Sequence, residues 1–196
     1  MSPEARSAVD TVVPVLLTET RPVVLITGIS AAGKSTVANM LSRRFDMGVH
    51  VKGEVFRRMI TTGRHEMTSS PTDEAVAQLR PRYRLGASTS DTYHAAGFAV
   101  VVQDVVIGAH LTEYVAAIAS RPLVVVVLAP SPEAVAEREI ARDKVAYRDD
   151  FSTITDLDRA LRRETPRVGL WLDSSDQQPE NTVDAIVTRG LAEGLV

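Results

Sequence analysis

The sequence contains no cysteine among its 196 residues, which excludes disulfide bonds and thiolate metal sites. It has no stretch approaching the ~20 apolar residues that a membrane-spanning helix needs. The longest apolar run, 123–129, is typical of a buried parallel strand. An acidic or basic tail is also absent, and the formal net charge of −3 favours neither nucleic acid nor an anionic membrane as a partner.

The first residues do not have the pattern of a secretory signal. Glu4 and Asp10 place acidic charge in front of the short apolar run 12–17. We therefore expect an amino-terminal extension over 1–21, one domain over 22–196, and a cytoplasmic location. The length is sufficient for a sizeable core, and the apolar content of 44% is ordinary for a soluble globular protein.

The most informative motif lies in residues 23–36, which read VVLITGISAAGKST and contain the pattern G-x-x-x-x-G-K-S. This pattern is typical of a loop that binds phosphate groups. Gly28 and Gly33 allow a tight loop whose backbone N–H groups approach the phosphates closely. Lys34 adds a positive charge over the phosphates, and the Ser35 hydroxyl is placed to hold Mg²⁺.

The surroundings of the motif support this interpretation. An apolar run precedes it, and apolar residues at helical spacing follow it, so its order is strand, loop and helix amino terminus. The helix dipole adds its positive end to the site. We predict that the protein binds ATP or GTP together with Mg²⁺. The expected nucleotide-binding residues are Gly28, Ser30, Ala31, Ala32, Gly33, Lys34, Ser35 and Thr36.

Five short apolar runs alternate with helical patterns, which is typical of an α/β protein with a parallel sheet. The runs are Val23–Thr27, 49–51, 98–102, 123–129 and 168–172. Ligands of open α/β sheets bind at the carboxyl ends of the strands. Mostly polar and ionisable residues follow these runs, so we predict a binding site at that edge of the sheet.

Proline marks several helix starts. Ser70 and Pro71 predict the N-cap and first residue of a helix that bends at Pro81 and ends at Gly97. Further helices are expected from Pro132, after a Ser131 N-cap, to about residue 143, around Leu157 and Leu161, and from Pro179 onward.

Two acidic residues follow strands in positions where they can take part in phosphate chemistry. Asp104 ends the third run, where a carboxylate can orient the Mg²⁺ shell or cap a following helix. Glu54 follows the second run, where it can activate an acceptor hydroxyl or stabilise a helix dipole. The expected acceptor-binding residues are Glu54, Arg57, Arg58, Gln103 and Asp104, and the expected metal ligands are Ser35 and Asp104.

Basic residues form two further groups. Arg138 and Arg142 lie four residues apart on one helix face, in a segment of about 138–152 that suits a lid closing on a phosphoryl group; a charge-rich exposed helix is the alternative. Several arginines between the second and third runs can line an acceptor site, although each is individually expected on the solvated surface. These are Arg57, Arg58, Arg64, Arg80, Arg82 and Arg84. The histidines show no metal-ligand spacing.

The chain resembles small P-loop kinases of the nucleoside-monophosphate-kinase group, most of all chloramphenicol phosphotransferase-like proteins. The segments that carry this resemblance are 28–36, 53–58, 138–144 and 172–183. The resemblance implies a P-loop NTPase fold with a five-stranded parallel sheet of order 2-3-1-4-5, flanking helices and a mobile lid.

The resemblance also implies roles for particular residues. In the family an acidic residue after the second strand, often aspartate, activates or binds the acceptor, and in this sequence that residue would be Glu54. Lid arginines would be Arg138 and Arg142, and the loop that lines the adenine pocket would include Ser174. Gln103 followed by Asp104 departs from the usual pair of acidic residues, which argues against an ATPase motor.

The leading hypothesis is an ATP-dependent kinase that transfers the γ-phosphoryl group to a hydroxyl of a small molecule. The acceptor can be an antibiotic, a nucleoside or nucleotide, a sugar or another metabolite, bound by an insertion of about 54–97. The expected catalytic residues are Lys34, Glu54, Arg138 and Arg142. The alternative is a nucleotide-binding switch or slow NTPase without an acceptor, and the acidic balance disfavours a kinase acting on nucleic acid.

Overall fold

Five parallel strands form one sheet with the spatial order β2-β3-β1-β4-β5, which confirms the predicted topology. The strands are β1 Val23–Thr27, β2 Gly48–Lys52, β3 Ala99–Gln103, β4 Leu123–Leu128 and β5 Leu170–Leu172. The structure is a computed structural model that describes residues 16–67, 71–140 and 151–196. Arg142 and most of the predicted lid lie outside these described residues.

Helices cover the sheet. They are α1 Lys34–Ser42, α2 Glu54–Arg58, α3 Asp73–Ala77, α4 Leu79–Ala95, α5 His110–Ala117, α6 Pro132–Ile140, α7 Phe151–Glu164 and α8 Pro179–Glu193, with a 3₁₀ turn at Leu17–Glu19. Every residue of β1, β3 and β4 is buried. Such valine-rich continuous runs are typical of parallel strands that are covered on both faces. In the described part of the chain, every helix is too short or too polar to cross a lipid bilayer.

The predicted helix between β2 and β3 is two helices, α3 and α4, which are separated at Gln78. Pro81 explains the break, because its ring clashes with the carbonyl four residues earlier and it has no N–H for a hydrogen bond there. The N-cap is Thr72, whose hydroxyl accepts a hydrogen bond from the Ala75 N–H at 3.2 Å. The predicted cap, Ser70, lies outside the described residues.

Local interactions determine where α6 and β5 begin. Ser131 caps α6, since its hydroxyl accepts a 3.3 Å hydrogen bond from the Ala134 N–H, as predicted. By contrast, β5 begins at Leu170 instead of residue 168. Gly169 has a φ of +78°, and a β-carbon there would overlap the Val125 carbonyl, so extended backbone cannot begin earlier.

Candidate functional site

The loop between β1 and α1 has the geometry of a phosphate-binding loop. Gly28 has a φ of +145°, and a β-carbon there would overlap the carbonyl oxygen of Leu128. Gly33, with a φ of +92°, is the N-cap of α1. Ala31 has a φ of +58°, a conformation that is uncommon for a residue with a side chain. Three positive φ angles within six residues bend the loop back over the start of α1.

Lys34, the first residue of α1, points into this loop. Its ammonium donates a 2.6 Å hydrogen bond to the Ile29 carbonyl, and only 7% of the residue is exposed. The first N–H groups of a helix have no acceptor within the helix, so they are available to an anion. The loop therefore joins a buried positive charge to a helix amino terminus.

A cleft of about 560 Å³ extends from this loop to the carboxyl ends of the other strands. It is lined by Ser30, Ala31, Ala32, Gly33, Lys34, Ser35, Thr36, Glu54, Arg82, Gln103, Asp104, Arg138 and Ser174, among others. Most of the residues expected from the sequence thus lie around one cleft. Gly28 shapes the loop behind it, while Arg57 and Arg58 are absent from the described lining.

Asp104 is the most deeply buried charged group of the cleft, with a side chain that is 0% exposed. Arg82 binds both carboxylate oxygens: its Nε donates to Oδ2 at 2.7 Å, and its Nη2 donates to Oδ1. The Val105 N–H donates to Oδ1 at 2.7 Å. Burial raises the pKa of Asp104 above its ordinary value, and the Arg82 guanidinium opposes this rise.

Arg82 therefore corrects the expectation that it lies on the solvated surface, since only 12% of its side chain is exposed. A buried carboxylate needs a charged partner, and Arg82 is the arginine of α4 that reaches it. A sequence signal existed, because Arg82 lies three residues after Leu79 and four before Gly86, both on the buried face. The helix-capping alternative for Asp104 is wrong, because α5 has its N-cap at Ala109.

Glu54 is the first residue of α2 and lines the cleft, with about half of its side chain exposed. Its carboxylate lies 3.2 Å from the Arg58 guanidinium. Glu54 thus lies in the first turn of α2 and also lines the cleft, as both of its predicted roles require. Gly53, directly before it, packs against Asp104 so closely that a β-carbon would overlap the carboxylate. The start of α2 is therefore held next to the carboxylate at the end of β3.

Three other arginines of this region, Arg57, Arg58 and Arg64, each pair with a glutamate. Arg57 binds the Glu66 carboxylate and the His65 carbonyl. Arg64 lies 3.2 Å from the same carboxylate. The hydrogen bond from Arg57 lowers the pKa of Glu66. Arg57 and Arg58 are absent from the described lining of the cleft, and their acceptor-binding role stays a prediction.

Arg138 projects from α6 toward the loop that follows β5. Its Nη2 donates to the carbonyls of Ser174 and Ser175, the second at 3.3 Å. The Ser175 hydroxyl accepts a 2.8 Å hydrogen bond from the Ser131 N–H, which joins the same loop to the start of α6. Ser174 is buried, and its hydroxyl has no partner among the described residues. This loop forms one wall of the cleft.

The residues present fit a magnesium ion held beside a nucleotide. Ser35 and Asp104 offer hydroxyl and carboxylate oxygens in the same cleft, and Mg²⁺ prefers one or two such ligands together with substrate phosphates and water. Among residues 16–67, 71–140 and 151–196, no three His, Asp or Glu side chains form a cluster that could hold a metal ion.

Comparison with known proteins supports the fold. A family model described as an AAA domain matches residues 23–166. No curated protein matches the chain. A solved sugar kinase from Janibacter sp. HTCC2649 is 20% identical with a TM-score of 0.59 over 88% of this chain and 96% of its own.

Two further solved structures are similar over comparable lengths. A gluconokinase from Sinorhizobium meliloti 1021 is 18% identical with a TM-score of 0.59 over 88% of this chain and 92% of its own. The tunicamycin resistance protein of Deinococcus radiodurans is 18% identical with a TM-score of 0.61 over 90% of this chain and 99% of its own. At these identities the likeness shows a shared fold.

Proposed function

Since the chain belongs to the AAA domain family and has the P-loop NTPase fold, we propose that it transfers the γ-phosphoryl group of ATP to a hydroxyl group of a small molecule. One observation carries the proposal: the phosphate loop and Glu54 line the same cleft. An ATPase motor is disfavoured because Gln103 followed by Asp104 lacks the usual pair of adjacent acidic residues. The resemblance of structure to a sugar kinase and a gluconokinase supports the same class.

In this reaction the Glu54 carboxylate accepts the proton of the acceptor hydroxyl, and the hydroxyl oxygen forms a bond to the γ-phosphorus. The bond from that phosphorus to the bridging oxygen breaks, which leaves ADP. Lys34 and the loop N–H groups stabilise the charge that moves to the leaving oxygens. Ser35 and Asp104 would hold Mg²⁺, which would supply positive charge to neutralise the phosphates.

The remaining expectations complete the proposal. The segment of about 54–97 binds the acceptor, and the segment of about 138–152 closes over it with Arg138 and Arg142. Ser174 and the loop around it contact the nucleotide base, which is supported by their place in the wall of the cleft. The acceptor belongs to the classes named above: an antibiotic, a nucleoside or nucleotide, a sugar or another metabolite.

A phosphate-transfer screen tests the proposal. ATP and GTP are offered with a library of sugars, nucleosides, nucleotides and hydroxylated antibiotics, and phosphorylated products are detected by mass spectrometry. Lys34→Met and Glu54→Gln should each lower transfer by about 100-fold or more. Glu66→Gln is the matched control, because it removes the same charge from the same region away from the described lining of the cleft.

The outcomes separate the candidate functions. Acceptor-dependent product formation that requires Lys34 supports the kinase. Slow nucleotide hydrolysis that no acceptor stimulates contradicts it and supports the switch or NTPase. Unchanged transfer by Glu54→Gln removes Glu54 from the role of base and leaves the kinase in place.

A further inference from the structure

The segment 104–106, directly after β3, is held from two sides. From α4, Arg82 binds the Asp104 carboxylate, and the Tyr83 hydroxyl donates a 3.0 Å hydrogen bond to the Val105 carbonyl. From β1, the Thr27 hydroxyl donates to the Val106 carbonyl at 2.8 Å and accepts from the Val106 N–H at 2.9 Å. Consecutive residues are thus each anchored by a different side chain, which makes this segment a rigid support at the edge of the sheet.

The Asp104 carboxylate has little freedom within this support. An ionised carboxylate offers about four acceptor positions, and Arg82 and the Val105 N–H occupy three of them. The forked contact from Arg82 fixes the plane of the carboxylate, because two parallel N–H groups bind its two oxygens. Gly53 packs against Oδ2, the oxygen that accepts the single hydrogen bond from the Arg82 Nε. Asp104 itself lines the cleft beside the phosphate loop.

We propose that Arg82 is a positioning residue that orients the Asp104 carboxylate toward the Mg²⁺ accompanying the nucleotide. This role rests on the nucleotide-binding part of the proposed function and does not depend on which molecule is the acceptor. Arg82 belongs to α4, within the segment assigned to the acceptor, whereas Asp104 and Ser35 belong to the donor side. A side chain of the acceptor region thereby sets the geometry of the metal and nucleotide.

Nucleotide binding tests this role without requiring turnover. The dissociation constant of adenylyl imidodiphosphate is measured by calorimetry in Mg²⁺ and again in EDTA. Partners that orient a metal ligand are typically worth about 10-fold or more in metal affinity. Arg82→Gln should therefore weaken binding by about 10-fold in Mg²⁺ and leave binding in EDTA nearly unchanged. The matched control is Arg84→Gln, because Arg84 is an exposed arginine on the same helix.

Arg82→Gln leaves the buried Asp104 carboxylate without its charged partner. Three further variants therefore keep the test decisive if this variant does not fold. Arg82→Lys keeps the charge without the fork and should lose part of the Mg²⁺-dependent affinity. Asp104→Asn alone should lose as much as Arg82→Gln alone. The Arg82→Gln/Asp104→Asn double variant contains a neutral pair, and it should bind no more weakly in Mg²⁺ than Asp104→Asn, because Arg82 acts through Asp104.

The results distinguish this inference from its alternatives. Equal losses in Mg²⁺ and in EDTA would assign Arg82 a purely structural role and overturn the proposal. Additive losses in the double variant would also overturn it, since they require independent roles. If no acceptor is ever found, the kinase assignment fails while the Mg²⁺ dependence of nucleotide binding still decides the role of Arg82.

Discussion

The two sides of the cleft are built by different means. On the donor side, the phosphate loop depends on backbone conformation, with positive φ angles at Gly28, Ala31 and Gly33, residues that lie next to each other in the chain. On the side proposed to bind the acceptor, here called the acceptor side, the structure depends on side chains that join distant segments. Arg82 reaches Asp104 across 22 residues, and Gln78 binds backbone groups of residues 63 and 65.

The phosphate-loop side of the cleft therefore tolerates fewer substitutions than the acceptor side. Strained or left-handed backbone costs about 1–3 kcal/mol per residue unless glycine supplies it, so the loop restricts residue choice at single positions. Exposed ion pairs contribute about 0.2–1 kcal/mol each, so no single pair of the acceptor side holds its conformation. The buried Arg82–Asp104 pair is the exception, and it lies where the two sides meet.

The largest expected effect comes from replacing the first glycine of the phosphate loop. Gly28→Ala requires both an unfavourable φ and an overlap with the Leu128 carbonyl, so we expect a loss of about 3 kcal/mol or more in the free energy of unfolding. Gly33→Ala also has a positive φ, but nothing lies within 4 Å of the added β-carbon, so a loss of about 1–2 kcal/mol is expected. Urea unfolding compares the two, and equal losses would show that the overlap is relieved.

A second effect tests close packing on the acceptor side. A β-carbon at Gly86 would overlap the Tyr114 hydroxyl, which is buried and has no hydrogen-bond partner among the described residues. Gly86→Ala should cost about 1–3 kcal/mol of unfolding free energy. Tyr114→Phe removes the unpaired hydroxyl, so by itself it should not destabilise the protein.

The double variant Gly86→Ala/Tyr114→Phe completes the second prediction. It should recover most of the stability that Gly86→Ala loses, because the overlapping hydroxyl is gone and only the ring carbon Cζ, at 3.0 Å, stays close to the added β-carbon. Thermal and urea unfolding of all four proteins give the coupling free energy. A double variant as unstable as Gly86→Ala alone would mean that contact with the ring, not with the hydroxyl, is the cause.

The third prediction concerns pH. Burial, assisted by the charge of Lys52, lowers the pKa of His50 on β2 from 6.5 to about 4. The unfolded chain therefore takes up a proton below pH 6.5 that the folded protein does not, and stability falls as pH decreases from 6.5 toward 4. We expect a contribution of about 1 kcal/mol, allowing for the partial exposure of the ring.

His50→Gln should remove this part of the pH dependence. The difference in unfolding free energy between the two proteins, measured by urea titration from pH 7 to pH 4, should change most between about pH 6.5 and pH 4. A constant difference over that range would mean that His50 protonates equally in both states.

The smallest effect is expected at the surface ion pairs. Glu66→Gln removes the partner of both Arg57 and Arg64 and should cost no more than about 1 kcal/mol, less at high salt. Glu193→Gln, which breaks the exposed pair with Arg189 on α8, serves as the matched control. A much larger loss for Glu66→Gln would show that the segment before α3 depends on this pair, contrary to the comparison drawn above.

Predictions from the sequence were accurate where neighbouring residues determine the structure. The apolar runs located all five strands, although Gly169 shortened the last one. Pro81 signalled a change of direction, and the break lies three residues earlier because the proline ring affects the preceding turn. Helix α5 was not predicted individually, since it follows a loop without a proline or serine signal at its start.

The candidate site was predicted less completely. Glu54, Gln103, Asp104, Arg138 and Ser174 do lie around the cleft with the phosphate loop. The partner of each charged group was not predictable, because an arginine side chain reaches several directions and its spacing in the chain does not select one. Arg57 and Arg58 were assigned to the acceptor because they follow β2, and their glutamate partners, Glu66 and Glu54, were not predicted.

By itself the sequence determined the phosphate loop and the five strands, and its family resemblance supplied their order. These features follow from the positions of the glycines and from uncharged apolar runs, both of which act on neighbouring residues. Only the tertiary structure decided that Arg82 binds Asp104, that Gly53 packs against the same carboxylate and that Arg138 binds the loop after β5. Those contacts depend on which strand ends meet at one edge of the sheet, and on the requirement that a buried charge find a partner there.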